Sequence, residues 1–464
     1  MNKKILLLNP PAPHLFIRDY YCSFESKADY YWPPQDLLVL SGLLSEDFDI
    51  YVIDGIFEKY SLEKVAEFVK DKKIGILIFT TGTATLKYDK EFIEGIKKKT
   101  GVYTIATAGI LKYTPELFFK KLDFLDAIFT DFTEKEIIEF LKNNNKGEKE
   151  WRTIYYKRDN QIIDPSKKYD RVFSYPPPLL ELFPYKKYKI PIAKKHPFAV
   201  VITSLGCPYK CRFCTIANYG VKYREIDNVI EEFEKLKSMN IKEILFQDPT
   251  FTVNSKYLTS LLNKMIEKKY GFSFSCNSDI NSMNEEKIKL LKQAGCHTVN
   301  IGLESGDDNI LKLYNKQLNT KKAIEIVNLF KKYKIRTLGY FIIGLPGESR
   351  ETINKTIDFA LSLDVDYASF AIATPDVGSD LRKEAVEKGW IEEDIDFFDS
   401  TENPVLNIPD LPKEDIINLR NLAERKFYFR PKYILKKLKN PSEFLENFKN
   451  GIALFKRIFF DKNE

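Results

Sequence analysis

Short apolar β-rich runs alternate with amphipathic stretches from Lys4 to about Asn145, and the pattern predicts strands at residues 5–8, 50–53, 74–80, 102–106 and 127–130. A period that switches between strand and helix in this way argues for a parallel sheet with helices on both faces. Five such strands fit a flavodoxin-like, doubly wound domain over residues 1–145. In that architecture ligands lie outside the carboxyl ends of the strands, where the strand order reverses. Those ends carry Asn9-Pro10-Pro11, Asp54-Gly55, Thr80-Thr81-Gly82-Thr83-Ala84, Ala108-Gly109 and Thr130-Asp131. Gly, Thr and Asn also serve as ordinary turn and cap residues at such places.

The pattern breaks twice. Residues 18–32 form a long aromatic and charged connection after the first strand, which reads as a lid, a substrate-facing wall or simple packing. Residues 146–197 form a junction: 153–156 and 161–164 flank an Arg158-Asp159-Asn160 turn as a β-hairpin, and Ser174-Tyr175-Pro176-Pro177-Pro178 stiffens an extended linker. Alternation returns over 198–381, with strands near 200–203, 243–246, 272–276, 298–301, 337–343 and 367–372. Six βα units make a partial (β/α)6 barrel, and 382–464 then reads as a helical C-terminal cap. The chain as a whole is α/β.

A length of 464 residues with 44% hydrophobic content allows two to three domains. No apolar stretch reaches the roughly 18–20 residues that span a bilayer, and the N-terminal apolar run is too short for a signal peptide. A cytoplasmic location is expected, with the six cysteines metal-binding or buried rather than disulfide-bonded. Cys22, Cys276 and Cys296 lie far apart and read as small buried hydrophobes. The 72 basic and 66 acidic residues nearly balance, so no nucleic-acid partner is expected.

The candidate chemistry sits at Cys207-Pro208-Tyr209-Lys210-Cys211-Arg212-Phe213-Cys214, where one short loop presents three thiolates. Soft thiolates select zinc, copper(I) or iron–sulfur centres. The spacing leaves no local fourth ligand, so a metal centre here keeps an open position. A structural zinc completed by Cys22, His14 or His196 is the alternative, and would make the chain a zinc-stabilised binding module. The loop follows a β-branched run at 199–206, at the strand end where α/β barrels build active sites.

The Cys-x3-Cys-x2-Cys loop with Phe213 before its last cysteine resembles the radical S-adenosylmethionine superfamily. Asn9-Pro10-Pro11, Tyr31-Trp32-Pro33-Pro34, Ser41-Gly42-Leu43-Leu44 and Asp54-Gly55 resemble the cobalamin-binding domain of one of its large subfamilies. The resemblance implies a 4Fe-4S cluster held by Cys207, Cys211 and Cys214, whose free iron chelates S-adenosylmethionine. It implies contacts to that cofactor from Phe213, from Asp248 in Phe246-Gln247-Asp248-Pro249, from Glu304 in Gly302-Leu303-Glu304-Ser305, and from Gly344 in Gly344-Leu345-Pro346-Gly347-Glu348. It implies cobalamin contacts from Asn9, Pro10, Thr80, Thr81, Gly82, Thr83, Gly109 and Thr130.

Several positions depart from the family pattern. There is no Asp-x-His-x-x-Gly, and Gly109-Ile110-Leu111 stands where relatives often have Gly-x-His. Ser278-Asp279 stands where many have Thr-Arg, which removes a potential carboxylate clamp. Asn315-Lys316-Gln317 matches a Lys-containing family segment, for which a solvated lysine is the default reading. Thr374-Pro375-Asp376-Val377-Gly378-Ser379-Asp380-Leu381 resembles the turn that closes the barrel.

The implied activity is reductive cleavage of S-adenosylmethionine, hydrogen abstraction from an unactivated carbon and cobalamin-mediated methylation, with no side chain acting as nucleophile. A cyclase, coupling or oxidation enzyme without methyl transfer is the alternative within the family. The implied partners are a small-molecule, lipid or peptide substrate and an external one-electron reductant such as flavodoxin or ferredoxin. From Arg425 onward the tail is basic and aromatic. Phe444, Leu445, Phe448, Ile452, Phe455, Ile458 and Phe459 recur at helical spacing, which suits packing or, with Lys432, Lys436, Lys437 and Lys439, peripheral membrane contact.

Overall fold

Strand β1 (Lys4–Asn9) buries Ile5, Leu6, Leu7 and Leu8 completely, so it must lie inside a sheet covered on both faces. The computed structural model describes residues 4–20, 23–26, 30–107, 109–143, 151–158, 161–163, 165, 170–391 and 404–438. After β1 a small antiparallel hairpin, β2 (Phe16–Arg18) and β3 (Ser23–Glu25), precedes the remaining strands of the first sheet. These are β4 (Asp49–Asp54), β5 (Ile76–Thr80), β6 (Tyr103–Thr107) and β7 (Ala127–Phe129). They pair in parallel in the order β4-β1-β5-β6-β7, the doubly wound order in which the chain reverses direction beside β1.

Side-chain alternation along β1 separates two cores: Ile5 and Leu7 face one, Leu6 and Leu8 the other. The first is continuous with the core of the rest of the molecule. The helix Gln35–Leu43 lies on that side and has every residue buried. The Pro-rich linker crosses it closely: a Cβ on Gly42 would run into the Pro176 carbonyl, and Leu179 N donates to Ser41 Oγ at 2.9 Å. The hairpin of the junction, β8 (Ile154–Arg158) and β9 (Gln161–Ile163), joins the same sheet antiparallel to β7 and extends it to seven strands. Ile154, Tyr155 and Tyr156 are all buried, and this covers the edge that β7 would otherwise expose.

β10 (Val172–Phe173) leads into β11 (Phe198–Val201), the first strand of the second sheet. After β12 (Ser204–Leu205) and β13 (Lys222–Arg224), which form a three-stranded patch with β10, come β14 (Glu243–Phe246), β15 (Ser273–Ser278), β16 (Cys296–Glu304), β17 (Arg336–Ile343) and β18 (Tyr367–Ile372). The order β11-β14-β15-β16-β17-β18 is sequential and parallel throughout, an open six-stranded barrel. The helix Lys413–Tyr428 covers its last strands, with the Phe427 ring 6.3 Å from Phe370 and Tyr428 Oη accepting from Ala368 N at 3.3 Å.

The two sheets meet at their carboxyl ends. Gln247 beyond β14 donates to Asp19 at 3.0 Å, Tyr113 beyond β6 donates to the Thr215 carbonyl at 2.7 Å, and Lys222 reaches Asp131 and Glu134 beyond β7 at 3.1 and 2.6 Å. Cys276 and Cys296 are buried; Cys22, Ala108, Lys439 and the amphipathic run from Phe444 to Phe459 lie outside the described residues. Among the described residues no helix is long and apolar enough to cross a membrane.

Candidate active site

The cysteine loop leaves β12 through Gly206, whose φ of +75° is open to glycine and whose Cβ, if present, would run into the Gly220 carbonyl. Two helical segments, Asp308–Leu313 with the residues that follow it and Asp380–Glu387, then clamp the loop. Arg212 N donates to the Tyr314 carbonyl at 3.0 Å, its carbonyl accepts from Leu381 N at 2.9 Å, and its guanidinium pairs with Glu384 at 2.8 Å. Asn315 donates to the Lys210 carbonyl at 2.8 Å, and the Phe213 ring lies 6.2 Å from Tyr314. Cys207 Sγ is 3.5 Å from Thr250 Oγ1. All three thiols are half-buried and free of disulfides.

Burial pushes the Cys211 thiol up to about 12 and the Cys214 thiol to about 11. Without metal Cys211 and Cys214 are therefore protonated, and loading a metal centre on them must release protons. Among the described residues no three His, Cys, Asp or Glu side chains converge as a single ion requires. His196 stands edge-on to Phe198 at the opposite end of β11, and His14 pairs with Glu25 at 3.6 Å, so neither completes a zinc site. Thiols spread around one loop suit a multi-iron cluster, in which each iron takes one thiolate.

Asp248 lies at the end of β14, but its carboxylate is already engaged. Oδ1 accepts from Thr203 N at 2.6 Å and Ser204 N at 3.0 Å, Oδ2 accepts from Thr203 Oγ1, and the main-chain carbonyl accepts from Asn277 at 2.9 Å. It shapes the segment leading into the cysteine loop rather than offering a free acceptor. Burial raises it to about 6 despite these donors.

Glu304 ends β16 with φ at +60°, in the left-handed region, where pairing with β17 skips a residue. Its Oε1 lies 3.4 Å from Lys316 Nζ, which is also 3.6 Å from Asp279 Oδ2, and the Lys316 side chain is only 11% exposed. The solvated lysine expected at 316 is thus a buried ion-pair member. Its signal was unreadable because the two carboxylates reach it from the ends of other strands.

Gly344 ends β17 with φ at +87°. Its N–H and that of Leu345 donate to Glu348 Oε2 at 2.8 and 2.9 Å, and Tyr314 donates to the Pro346 carbonyl at 2.8 Å. Burial lifts Glu348 to about 8. A Cβ on Gly344 would also stand 2.9 Å from Ile416, a constraint imposed by the C-terminal helix.

Between the facing strand ends lies a narrow cleft. From the first sheet it is lined by Thr81, Gly82, Thr83, Gly109 and Ile110; from the second by Thr215, Tyr219 and Asp376. Ser23 of the β2–β3 hairpin packs on Gly82, and its Oγ accepts from Ala84 N at 3.0 Å. The other expected residues on this side lie outside the cleft lining. Asn9 accepts from Arg18 at 2.7 Å and donates to Asp54 at 2.9 Å; Thr130 Oγ1 donates to the Thr153 carbonyl at 2.9 Å; Thr80 and Pro10 are buried outside the cleft lining. Thr81 keeps its backbone at the cleft but turns its hydroxyl to Asp89, at 2.7 Å.

Residues 201–360 match the radical SAM superfamily. The whole chain is similar to an uncharacterized methyltransferase of Pyrococcus horikoshii, 32% identical over 444 residues, with 93% of this chain and 94% of the relative covered. It is 25% identical over 396 residues to the anaerobic magnesium-protoporphyrin IX monomethyl ester cyclase of Rubrivivax gelatinosus, covering 81% of this chain and 70% of that one. The fold is shared with the radical S-adenosylmethionine methyltransferase TsrM from Kitasatospora setae, solved with cobalamin and a 4Fe-4S cluster bound: TM-score 0.70, 18% identity, 84% of this chain and 75% of that one. A relation that runs nearly end to end with the Pyrococcus protein and includes the cysteine-loop barrel means that the chain belongs to the radical S-adenosylmethionine superfamily.

Proposed function

We propose that the chain is a cobalamin-dependent radical S-adenosylmethionine enzyme that methylates an unactivated carbon. The observation that carries this reading is the shared cleft. The segment running on from Cys214 through Thr215 and Tyr219 faces Thr81, Gly82, Thr83 and Gly109 across a single space, so two cofactor sites would open toward one substrate. When bound, the cluster supplies the electron that splits S-adenosylmethionine into methionine and a hydrogen-abstracting 5′-deoxyadenosyl radical, and cobalamin supplies the methyl group.

Cys207, Cys211 and Cys214 would hold three irons. Phe213 would wall the cofactor, Glu304 would accept from its amine or ribose, and the Gly344 turn, braced by Glu348, would offer backbone to its adenine. The hydroxyls and bare backbone of Gly82, Thr83 and Gly109, opposite Tyr219 and Asp376, suit the amide rim of a corrin. No histidine lines the cleft among the described residues, and Ile110 offers no ligand, so this turn gives a cobalt no imidazole. The substrate is a small molecule, lipid or peptide, and a flavodoxin- or ferredoxin-like protein in the cytoplasm would deliver the electron.

Similarity to a cyclase favours a second reading, radical chemistry without methyl transfer. Anaerobic reconstitution separates the readings. About four iron and four sulfide with one cobalamin per chain supports methyl transfer; a cluster without cobalamin leaves the cyclase-type reading; zinc on the three cysteines removes both. Replacing any one of Cys207, Cys211 or Cys214 by Ala is expected to abolish most of the iron content.

A further inference from the structure

The turn that closes the barrel, Thr374-Pro375-Asp376-Val377-Gly378, forms part of one wall of the cleft through Asp376 and Val377. Its backbone is fixed from several sides. Gly378, at a φ of +91°, packs so closely on Tyr113 beyond β6 that a Cβ there would run into the ring. Asn218 donates to the Gly378 carbonyl at 2.9 Å. Asp376 N donates to the Thr374 carbonyl at 3.0 Å, and the Asp376 carbonyl accepts from Ser379 N at 3.1 Å and from Ser379 Oγ at 2.7 Å. The Asp376 carboxylate, by contrast, has no hydrogen bond and no ion pair among the described residues; Arg382 acts on it only at a distance.

The rest of the lining offers it no donor of opposite charge. Asp19, the other carboxylate there, already accepts from Gln247 at 3.0 Å, Trp32 at 3.3 Å and Tyr20 N at 2.7 Å. Tyr113 and Tyr219 donate their hydroxyls to the carbonyls of Thr215 and Thr130, at 2.7 and 3.3 Å, so what they present to the cleft is ring surface. No lysine, arginine or histidine lines the cleft among the described residues. Lys112, near Ile110, sets its ammonium over the Tyr219 ring at 3.7 Å.

A carboxylate enclosed by aromatic walls without a donor is costly. Burial accordingly lifts Asp376 to about 7, against the pull of Arg382. A neutral hydroxyl would leave that charge uncompensated. An ammonium cancels it, brings three N–H donors and is attracted by aromatic faces. Asp376 belongs to the barrel wall, across from the turns at 81–83 and 109–110, so it faces the space between the two cofactor sites. We propose that Asp376 selects the substrate, and that the substrate enters with a protonated amine. The assignment rests on the reading of the cleft given above.

The test uses the full-length chain, anaerobically reconstituted with cluster and cobalamin, and three probes of similar shape: benzylamine, benzyl alcohol and benzoate. Dissociation constants are taken by equilibrium dialysis at about pH 8, with iron and cobalamin counted in each sample. The wild type is expected to bind benzylamine about ten- to hundredfold more tightly than benzyl alcohol, the effect of one charged hydrogen bond, and benzoate most weakly. Asp376→Asn is expected to bind amine and alcohol equally with iron content unchanged, and Asp376→Glu to keep part of the preference. Without probe, Asp376→Asn is expected to melt no lower than the wild type at that pH, because it removes a buried charge that lacks a donor; a lower midpoint would make the carboxylate a structural one and overturn the assignment. A loaded wild type without preference for the amine, or an Asp376→Asn variant that keeps it, overturns the assignment alone. An Asp376→Asn variant that no longer takes up cobalamin would place the carboxylate on the corrin and overturn it too. A wild type that takes up no cluster or no cobalamin overturns the underlying reading first.

Discussion

Asp248 shows how a residue with catalytic appearance can serve as a brace. It receives the N–H groups of Thr203 and Ser204 and the Thr203 hydroxyl, all buried, so Asp248→Ala strands two backbone donors. The expected cost is about 2–4 kcal/mol, read as a lower urea midpoint. Its folded value of about 6 lies above the ordinary 3.8. Folding thus favours the protonated form: this group's contribution is complete below about pH 4 and lost as pH rises through 6. Between pH 4 and 7 the cluster-free wild type should lose roughly 1–3 kcal/mol relative to Asp248→Asn; equal pH slopes would refute this. The acid at 248 was legible in the sequence, but its orientation was not, because that depends on where β11 ends beside β14. Lys316 is the converse: its burial comes from carboxylates on two other strands, and no local pattern carries it.

At the scale of elements, the glycines entering and leaving the site constrain it more than its polar residues do. Gly206→Ala forces a Cβ onto the Gly220 carbonyl at a positive φ, and is expected to cost about 2–4 kcal/mol and to lower iron uptake on reconstitution; unchanged iron content and thermal midpoint would show that the loop adapts. Gly344 was read as a backbone approach to adenine, whereas Ile416 of the C-terminal helix independently excludes a side chain there. Strands were legible because β1, β14 and β18 are short apolar runs bounded by turn residues. The placement of β8 and β9 was not, since a hairpin's sequence specifies its turn and says nothing of the sheet edge it will cover.

The whole molecule is organised by two sets of strand ends pressed together. Lys222, 5% exposed, bridges Asp131 and Glu134 across that interface. Lys222→Met leaves buried carboxylates without their ammonium and should lower stability by about 3–5 kcal/mol, seen as a thermal midpoint several degrees lower; an unchanged midpoint would mean that the contact between the two sheets does not depend on this pair. The cysteine loop and both βα successions could be read from sequence, and together they implied two sites. That residues from both sets of strand ends line one cleft required the packing, because it depends on contacts such as Tyr113 with Thr215 and Gln247 with Asp19.

The central claim is that this cleft joins radical generation to methyl delivery. It is tested most directly by anaerobic turnover of the reconstituted, cobalamin-loaded chain with a one-electron reductant, S-adenosylmethionine carrying a deuterated methyl group, and a panel of candidate substrates. The expected result is 5′-deoxyadenosine together with S-adenosylhomocysteine and a deuterated methyl group on a product carbon. Formation of 5′-deoxyadenosine with a modified substrate but no label in it would contradict methyl transfer, and intact S-adenosylmethionine over a fully loaded, reduced cluster would contradict the radical reading itself.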